Sequence, residues 1–428
     1  MEVILQVGWH FDFISREENA TYSIHENDYF MGEGADRYGE SAGVAAAAGD
    51  SDNARIIRAA YRYAYLMANT VKLAKAQGIN NIKYFSYFVE PSNSYSVSED
   101  GSILDTINLA AGHDKEQYVL FCRTMRDAVE DIYNVTDVKH MGPNEAGYSK
   151  LTSYVIQNDP TLFDIITAHN YPEEGDVATN YDKYYETMTN NQNSNILNGS
   201  MTDFNDYKGF LATAKQSNAN AEFWSDEFNI KDFEPYQGRG TSSFYRGLAT
   251  AMGGIVAQQS GIQNTILWMS YDQLWTDKTG GTASTNSEFM NGIHQCGNAP
   301  SLFLSDQPYA QYYPTTLFSK YNGYKNGTVY ATNLSETATQ GVYVGAVQLE
   351  DGSWTVSVLN MNNTAVNINV AFGSAINQTL YRHIVSADKA DTYADAKIPD
   401  ADKSFSNVAT SFSDVLPAGS FAVYTGVK

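Results

Sequence analysis

Two glutamates stand in contexts that suit acid and base chemistry. Glu145 ends a Gly-Pro-Asn-Glu segment, and Glu227 lies within the segment Trp-Ser-Asp-Glu-Phe-Asn. Each segment follows a short apolar run that predicts a buried β-strand. Cleavage of a glycosidic bond needs one carboxylic acid to protonate the leaving oxygen and a second carboxylate to attack the sugar or to activate water. The pair therefore indicates chemistry at a glycosidic bond.

Side chains that suit sugar binding stand at other predicted strand ends. Aromatic rings pack against the C–H faces of sugars, while amide, imidazole and carboxylate groups bond to their hydroxyls. The candidates for substrate binding are Trp9, His10, Glu90, Asn144, His169, Tyr171 and Trp268. We expect these residues to surround the two glutamates.

The elements that must position these residues alternate between strand and helix. Apolar residues with helical spacing predict helices over 53–77, 115–133, 151–157, 207–214 and 243–260. Short apolar runs predict strands over 3–14, 82–89, 138–141, 163–168, 222–225 and 265–270. Such alternation is typical of parallel βα units, and in βα barrels the functional groups project from the C-terminal ends of the strands.

Residues 1–323 are therefore predicted to form an α/β catalytic domain, a TIM (β/α) barrel. Only six of the eight strands that close such a barrel are identified, so the barrel is either incomplete or contains strands without a clear pattern. Residues 324–428 contain short strands separated by turn signals and show no helical periodicity. This part is predicted to be an antiparallel β-sandwich domain.

These motifs resemble the retaining glycoside hydrolases of clan A, in particular families thirty, thirty-nine and fifty-one. The resemblance rests on Asn144-Glu145 after one strand, on Glu227 after a later one, and on His169-x-Tyr171 between them. It implies that Glu145 is the general acid/base and Glu227 the nucleophile, and that their carboxyl groups lie roughly 5–5.5 Å apart.

The resemblance also implies roles for the neighbouring residues. Asn144 would bond to the 2-hydroxyl of the sugar at the cleavage point. Tyr171 would lie near the nucleophile with His169 beside it, and Trp268 would be a platform for a sugar ring. A double displacement on a β-linked glycan is the reaction that this set of residues favours.

Three alternatives remain open at this point. An α-L-arabinofuranosidase belongs to the same clan. An inverting hydrolase would hold its two carboxyl groups roughly 6.5–9.5 Å apart. A carbohydrate-binding protein without catalysis, on a degenerate hydrolase barrel, would bind a glycan without cleaving it.

Composition limits the partners. The 428 residues carry 27 Lys and Arg against 49 Asp and Glu, a formal net charge of −22, which repels phosphate backbones and anionic lipid. We therefore expect an oligo- or polysaccharide substrate, with neither nucleic acid nor a membrane as partner. The two cysteines are too few for a disulfide framework or a four-ligand zinc site, and we expect no metal and no cofactor.

The first residues contain too short an apolar stretch for a signal peptide. This leaves a cytoplasmic protein or the mature part of a secreted or cell-surface one, and we favour the latter.

Overall fold

The structure is a computed structural model that describes residues 3–6, 52–87, 115–145, 150–170, 214–216, 218–228, 241–267, 294–296, 304–322, 327–330, 332, 341–393 and 396–427. The described chain divides into two compact units. The first contains 3–169 and 214–226, and the second contains 170 and 227–427. The predicted domain boundary at 323/324 stays a prediction.

A six-stranded sheet carries four of the nine predicted site residues. Its strands are β1 (Val3–Gln6), β2 (Ile82–Ser86), β3 (Lys139–Glu145), β4 (Ile165–Asn170), β5 (Glu222–Phe228) and β6 (Asn264–Leu267), and they follow one another in chain order. The pairs β1–β2, β2–β3 and β3–β4 are parallel. This confirms the α/β class, and a closed eight-stranded barrel stays a prediction.

In the described part of the first unit, the helices α1 (Asp52–Ala76), α2 (Lys115–Asp127) and α3 (Lys150–Asn158) accompany the strands, much as the periodicity predicts. Residues 207–213 of the helix predicted over 207–214 lie outside the described residues. The predicted helix over 115–133 changes its hydrogen bonding after Asp127, because Ala128–Ile132 form a π-helical turn. Tyr63 of α1 meets Phe121 of α2 edge-to-face, with ring centroids 5.7 Å apart, so aromatic packing joins these two helices.

The π-helical turn contributes to a polar network around the buried His140. Glu130 Oε1 lies 3.3 Å from His140 Nε2 and accepts a hydrogen bond from Arg126 at 3.0 Å. Arg126 also pairs with Asp164 at 3.1 Å, and Asp164 accepts the backbone N–H of His140 at 2.8 Å. The Tyr87 hydroxyl contacts His140 Nδ1. The network joins the end of α2 to the first residues of β3 and the start of β4.

The buried imidazole predicts a loss of stability in mild acid. Burial lowers the pKa of His140, so the folded protein keeps this group neutral at a pH where the unfolded chain already binds a proton. The free energy of unfolding therefore falls below the ordinary His pKa of about 6.5, by at most about 1.4 kcal/mol per pH unit from this group. We expect His140→Asn to flatten that slope between pH 7 and pH 5 in urea titrations.

A matched control is Phe85→Leu, since the Phe85 ring meets the imidazole edge-to-face at 5.8 Å and carries no proton. It should lower stability by the same amount at both pH values. An unchanged slope in His140→Asn would contradict the assignment.

The second unit begins with elements that the periodicity predicted only in part. Its helices are α4 (Thr241–Ser260) and α5 (Tyr312–Asn322), and its first hairpin pairs β7 (His294–Cys296) with β8 (Leu304–Pro308). Helix α4 matches the prediction to within two residues, whereas α5 and the hairpin were not predicted.

Two antiparallel sheets follow. The strands are β9 (Thr328–Tyr330), β10 (Val342–Gln348), β11 (Trp354–Asn360), β12 (Val366–Ala371), β13 (Gln378–Ser386), β14 (Lys403–Val408), β15 (Ser411–Leu416) and β16 (Ser420–Thr425), with a 3₁₀ helix at Ala387–Thr392. One sheet has the order β14-β13-β16-β11-β10-β9, and β12 pairs with β15. Buried side chains from both sheets, among them Val356, Leu380, Phe412 and Leu416, form one core. The antiparallel character predicted for this part is confirmed.

Candidate active site

Strand β3 ends in a bulge at Asn144. Pro143 aligns with Thr167 of β4, but the next aligned pair is Glu145 with Ala168, so Asn144 is the extra residue. Its φ of 60° lies in the left-handed region, which Asn tolerates better than most residues. Side chains alternate along a strand, so Thr167 and Ala168 lie on opposite faces. In a regular strand Glu145 would point to the same face as Pro143, and the bulge turns it to the opposite face.

Three neighbouring side chains hold Asn144. Its backbone N–H donates to Thr167 Oγ1 at 3.0 Å, and its side-chain Nδ2 donates to Ser86 Oγ at 2.8 Å. Its Oδ1 contacts Nε2 of His169. A carboxamide oxygen can only accept, so Nε2 of His169 carries the proton in this contact. Ser86, Asn144, Thr167 and His169 are all buried, which makes these bonds costly to lose.

The carboxyl group of Glu145 lies in a nearly closed environment. Only 1% of Glu145 is exposed. Tyr118 of α2 lies close by, and its hydroxyl donates to the carbonyl of Pro143 at 3.4 Å. The pKa of Tyr118 is raised well above its ordinary value, first by burial, then by Cys122, and also by the charge of Glu145. A negative charge on Glu145 therefore disfavours ionisation of Tyr118.

Close packing fixes the backbone just before the bulge. A Cβ atom placed on Gly142 would lie 2.4 Å from Cζ of Phe163, whose ring is fully buried. Only glycine leaves room for that ring, so this position cannot take a side chain without movement of β3 or Phe163.

We expect Gly142→Ala to destabilise the protein by about 1–3 kcal/mol, the usual cost of overpacking a close-packed core. Urea unfolding measures this. Gly373→Ala is the matched control, because nothing lies within 4 Å of a Cβ atom at Gly373, and it should change stability by less than about 0.5 kcal/mol. Equal effects of the two substitutions would contradict the packing argument.

Glu227 is the penultimate residue of β5. It is 4% exposed, and its neighbour Phe228 is buried as well. The start of the same strand is held by an ion pair between Glu222 and Lys139 of β3 at 2.5 Å. Glu222 also accepts a hydrogen bond from Trp224 Nε1 at 2.9 Å. The strand thus carries an ion-paired, partly exposed glutamate at its first residue and a buried one near its last.

The structure places four of the predicted site residues at the C-terminal ends of strands. Asn144 and Glu145 end β3, His169 is the penultimate residue of β4 and contacts Asn144, and Glu227 lies near the end of β5. The remaining candidates, Trp9, His10, Glu90, Tyr171 and Trp268, lie outside the described residues. The predicted separation of the two carboxyl groups stays a prediction.

Sequence reasoning missed the residues that hold Asn144. Ser86 ends β2 and Thr167 lies inside β4, and each hydroxyl residue stands between two buried apolar or aromatic neighbours. A polar side chain in a buried strand needs a hydrogen-bond partner, and this was the available signal. The sequence contained no such signal for Tyr118, since an aromatic residue on a helix face usually belongs to the core.

In the part of the chain that the structure describes, no group of three or more His, Cys, Asp or Glu side chains is arranged to hold a metal ion. None of the helices described is both long and apolar enough to cross a membrane.

Comparisons by sequence and by structure give different results. No protein-family profile matches the chain, and no curated protein matches it by sequence. Among solved structures, it is similar to a family 30 endoxylanase from Clostridium papyrosolvens C71, with a TM-score of 0.52, 14% identity, and coverage of 99% of this chain and 89% of that one.

Two more solved structures are similar in fold. The catalytic domain of the family 30 xylanase C from Talaromyces cellulolyticus has a TM-score of 0.52 and 14% identity, covering 86% of this chain and 67% of that one. A conserved exported protein from Bacteroides fragilis has a TM-score of 0.57 and 14% identity, covering 91% and 74%. The resemblance to clan A glycoside hydrolases that the sequence motifs indicated is thereby confirmed at the level of the fold.

Proposed function

We propose that this protein is a retaining glycoside hydrolase of β-linked glycans, with Glu145 as general acid/base and Glu227 as nucleophile. The observation that carries the proposal is the burial of both carboxylates, at 1% and 4% exposure, each at the C-terminal end of a strand. In folds of this kind such strand ends carry the catalytic groups.

Burial supports a chemical role because it is expensive for an acidic side chain. Removing a carboxylate from water disfavours its charged form, so glutamates are almost never fully buried without a partner or a function. The same burial tunes a carboxyl group for proton transfer, which a general acid at a glycosidic oxygen requires. Glu222, at the other end of β5, is by contrast partly exposed and paired with Lys139.

The proposed reaction has two steps. In the first, Glu145 donates its proton to the glycosidic oxygen while a carboxylate oxygen of Glu227 bonds to the anomeric carbon, and the bond to the leaving sugar breaks. In the second, Glu145 takes a proton from water, whose oxygen attacks the anomeric carbon and releases Glu227. Two inversions give net retention, and both glutamates return to their starting states.

Asn144 has an amide hydrogen to offer the substrate. Its Nδ2 group carries two hydrogens, and the structure gives one of them to Ser86 within the described part of the chain. In the proposal the second hydrogen bonds to the 2-hydroxyl of the sugar. Trp9, His10, Glu90, His169, Tyr171 and Trp268 are proposed as the further substrate-binding residues.

The proposed substrates are neutral polysaccharides with β-linked backbones. Two of the solved structures of similar fold are xylanases and another is a bifunctional glucanase-xylanase, so β-xylan and β-glucan are the first to test. A net charge of −22 is compatible with a neutral polymer. The proposal includes export of the protein from the cell, because such polymeric glycans lie outside the cell.

Aryl β-xylobioside, aryl β-cellobioside and aryl α-L-arabinofuranoside are the probes for this function. We expect the wild type to hydrolyse one of the two β-glycosides, and Glu227→Ala to lower kcat at least about 10³-fold. Added azide should restore turnover of that variant by taking the place of the missing nucleophile, giving a glycosyl azide of inverted configuration. Glu222→Gln, in the same strand, is the control and should keep full activity.

Other results would point elsewhere. A preference for the arabinofuranoside would favour an arabinofuranosidase. Absence of turnover on every probe, with glycan affinity unchanged in Glu145→Ala and Glu227→Ala, would indicate a carbohydrate-binding protein instead. Full activity of Glu227→Ala would remove the nucleophile assignment.

A further inference from the structure

We propose that Ser86 and Thr167 are positioning residues that enable Glu145 to act as an acid by holding the bulge at Asn144. The inference rests on the proposed function and deepens it. It names two side chains outside the Asn-Glu motif on which the acid Glu145 depends. Neither residue is proposed to touch the substrate.

The two hydroxyls act from opposite sides of β3. Ser86 belongs to β2 and Thr167 to β4, and these are the two strands that flank β3 in the sheet. Ser86 Oγ accepts from the Asn144 side chain at 2.8 Å, and Thr167 Oγ1 accepts from its backbone N–H at 3.0 Å. The side chain and the backbone of one residue are thus each fixed to a different strand.

The bulge needs such fixation. In an uninterrupted ladder the Asn144 N–H would bond to a backbone carbonyl, but here it donates to the Thr167 side chain. The φ of 60° also removes Asn144 from the conformation that strands prefer. Without the Thr167 hydroxyl, a fully buried N–H would lose its acceptor, and β3 would shift to find another.

Glu145 is the next residue, so a shift at Asn144 moves its carboxyl group. The bulge sets the face to which Glu145 points. A carboxyl group displaced by about 1 Å protonates the leaving oxygen poorly, and misplacement of that size can lower a rate about 10²-fold. Attack by Glu227, which lies on β5, does not depend on this contact.

Substrates whose leaving groups differ in their need for a proton distinguish this role from a general loss of structure. A 2,4-dinitrophenolate departs without a proton, whereas a phenolate of ordinary basicity needs one from the acid. Impaired protonation therefore slows the phenyl glycoside and spares the dinitrophenyl one. A structural defect that lowers the amount of folded enzyme slows both alike.

The experiment measures kcat/KM for phenyl and 2,4-dinitrophenyl β-xylobioside, or the matching cellobiosides if the wild type prefers those. Thr167→Val keeps the shape and removes the acceptor, and we expect kcat/KM for the phenyl glycoside to fall at least about tenfold while the dinitrophenyl value changes less than about twofold. Ser86→Ala also loosens the Asn144 amide that is proposed to bind the 2-hydroxyl, so both kcat/KM values should fall, and the phenyl value should fall several-fold further than the dinitrophenyl one. Thr167→Ser restores a hydroxyl and should recover most of the lost rate.

Thr425→Val is the matched control. Thr425 is also a fully buried threonine, and its hydroxyl bonds to that of Thr355 at 2.9 Å in the antiparallel sheet. The same change there removes a buried hydrogen bond and should leave the ratio of the two kcat/KM values unchanged.

Equal losses on both substrates, or no loss on either, would overturn the inference while leaving the proposed function intact. A wild type that hydrolyses neither glycoside would overturn the proposed function and the inference with it. If Thr167→Val does not fold, Ser86→Ala decides the question, since it removes only one oxygen from the opposite side of β3.

Discussion

The left-handed conformation of Asn144 is the constraint on which the site depends. One extra residue in β3 reverses the face to which Glu145, the last residue of the strand, points. The conformation is sustained by hydrogen bonds between Asn144 and Ser86, Thr167 and His169, which belong to the two flanking strands. The sheet thus acts as a rigid support, and the direction of the proposed acid is a property of three strands together.

Polar groups are used in two different ways in the first unit. Around Asn144 they are buried hydroxyl, amide and imidazole groups that fix a backbone. Around the buried His140 they include the partly exposed, charged Arg126, Glu130 and Asp164, which tie α2 to β3 and β4. Both sets lie on β3, one near its start and one at its end, so this strand is held at both ends by interactions that water would weaken.

The sequence predicts the elements better than the detail within them. Helices α1 and α4 are correct to within two residues because their apolar spacing is regular. The end of β3 was predicted too early, at residue 141, because Gly and Pro usually end a strand, whereas the structure continues it through Glu145. Strand β14 was missed because its side chains are mostly polar and exposed. Strand β15 was missed because a buried carboxylate, Asp414, stands between the buried Phe412 and Leu416 and interrupts the apolar alternation.

The Asn-Glu motif could be found from sequence, but the bulge could not. A bulge is defined by the pairing of two strands, and the register between 143 and 167 is not written in either segment alone. For the same reason Ser86 and Thr167 can be identified as partners of Asn144 only when their distances to it are known. The chemistry is thus visible in local motifs, while its support depends on contacts between residues far apart in the chain.

Proton NMR of the first sugar released from a β-linked aryl glycoside tests the account most directly. A double displacement through Glu227, with Glu145 serving first as acid and then as base, predicts that the β-anomer appears first and mutarotates afterwards. If the α-anomer appears first, water attacks the substrate directly, and the account of these two glutamates is contradicted.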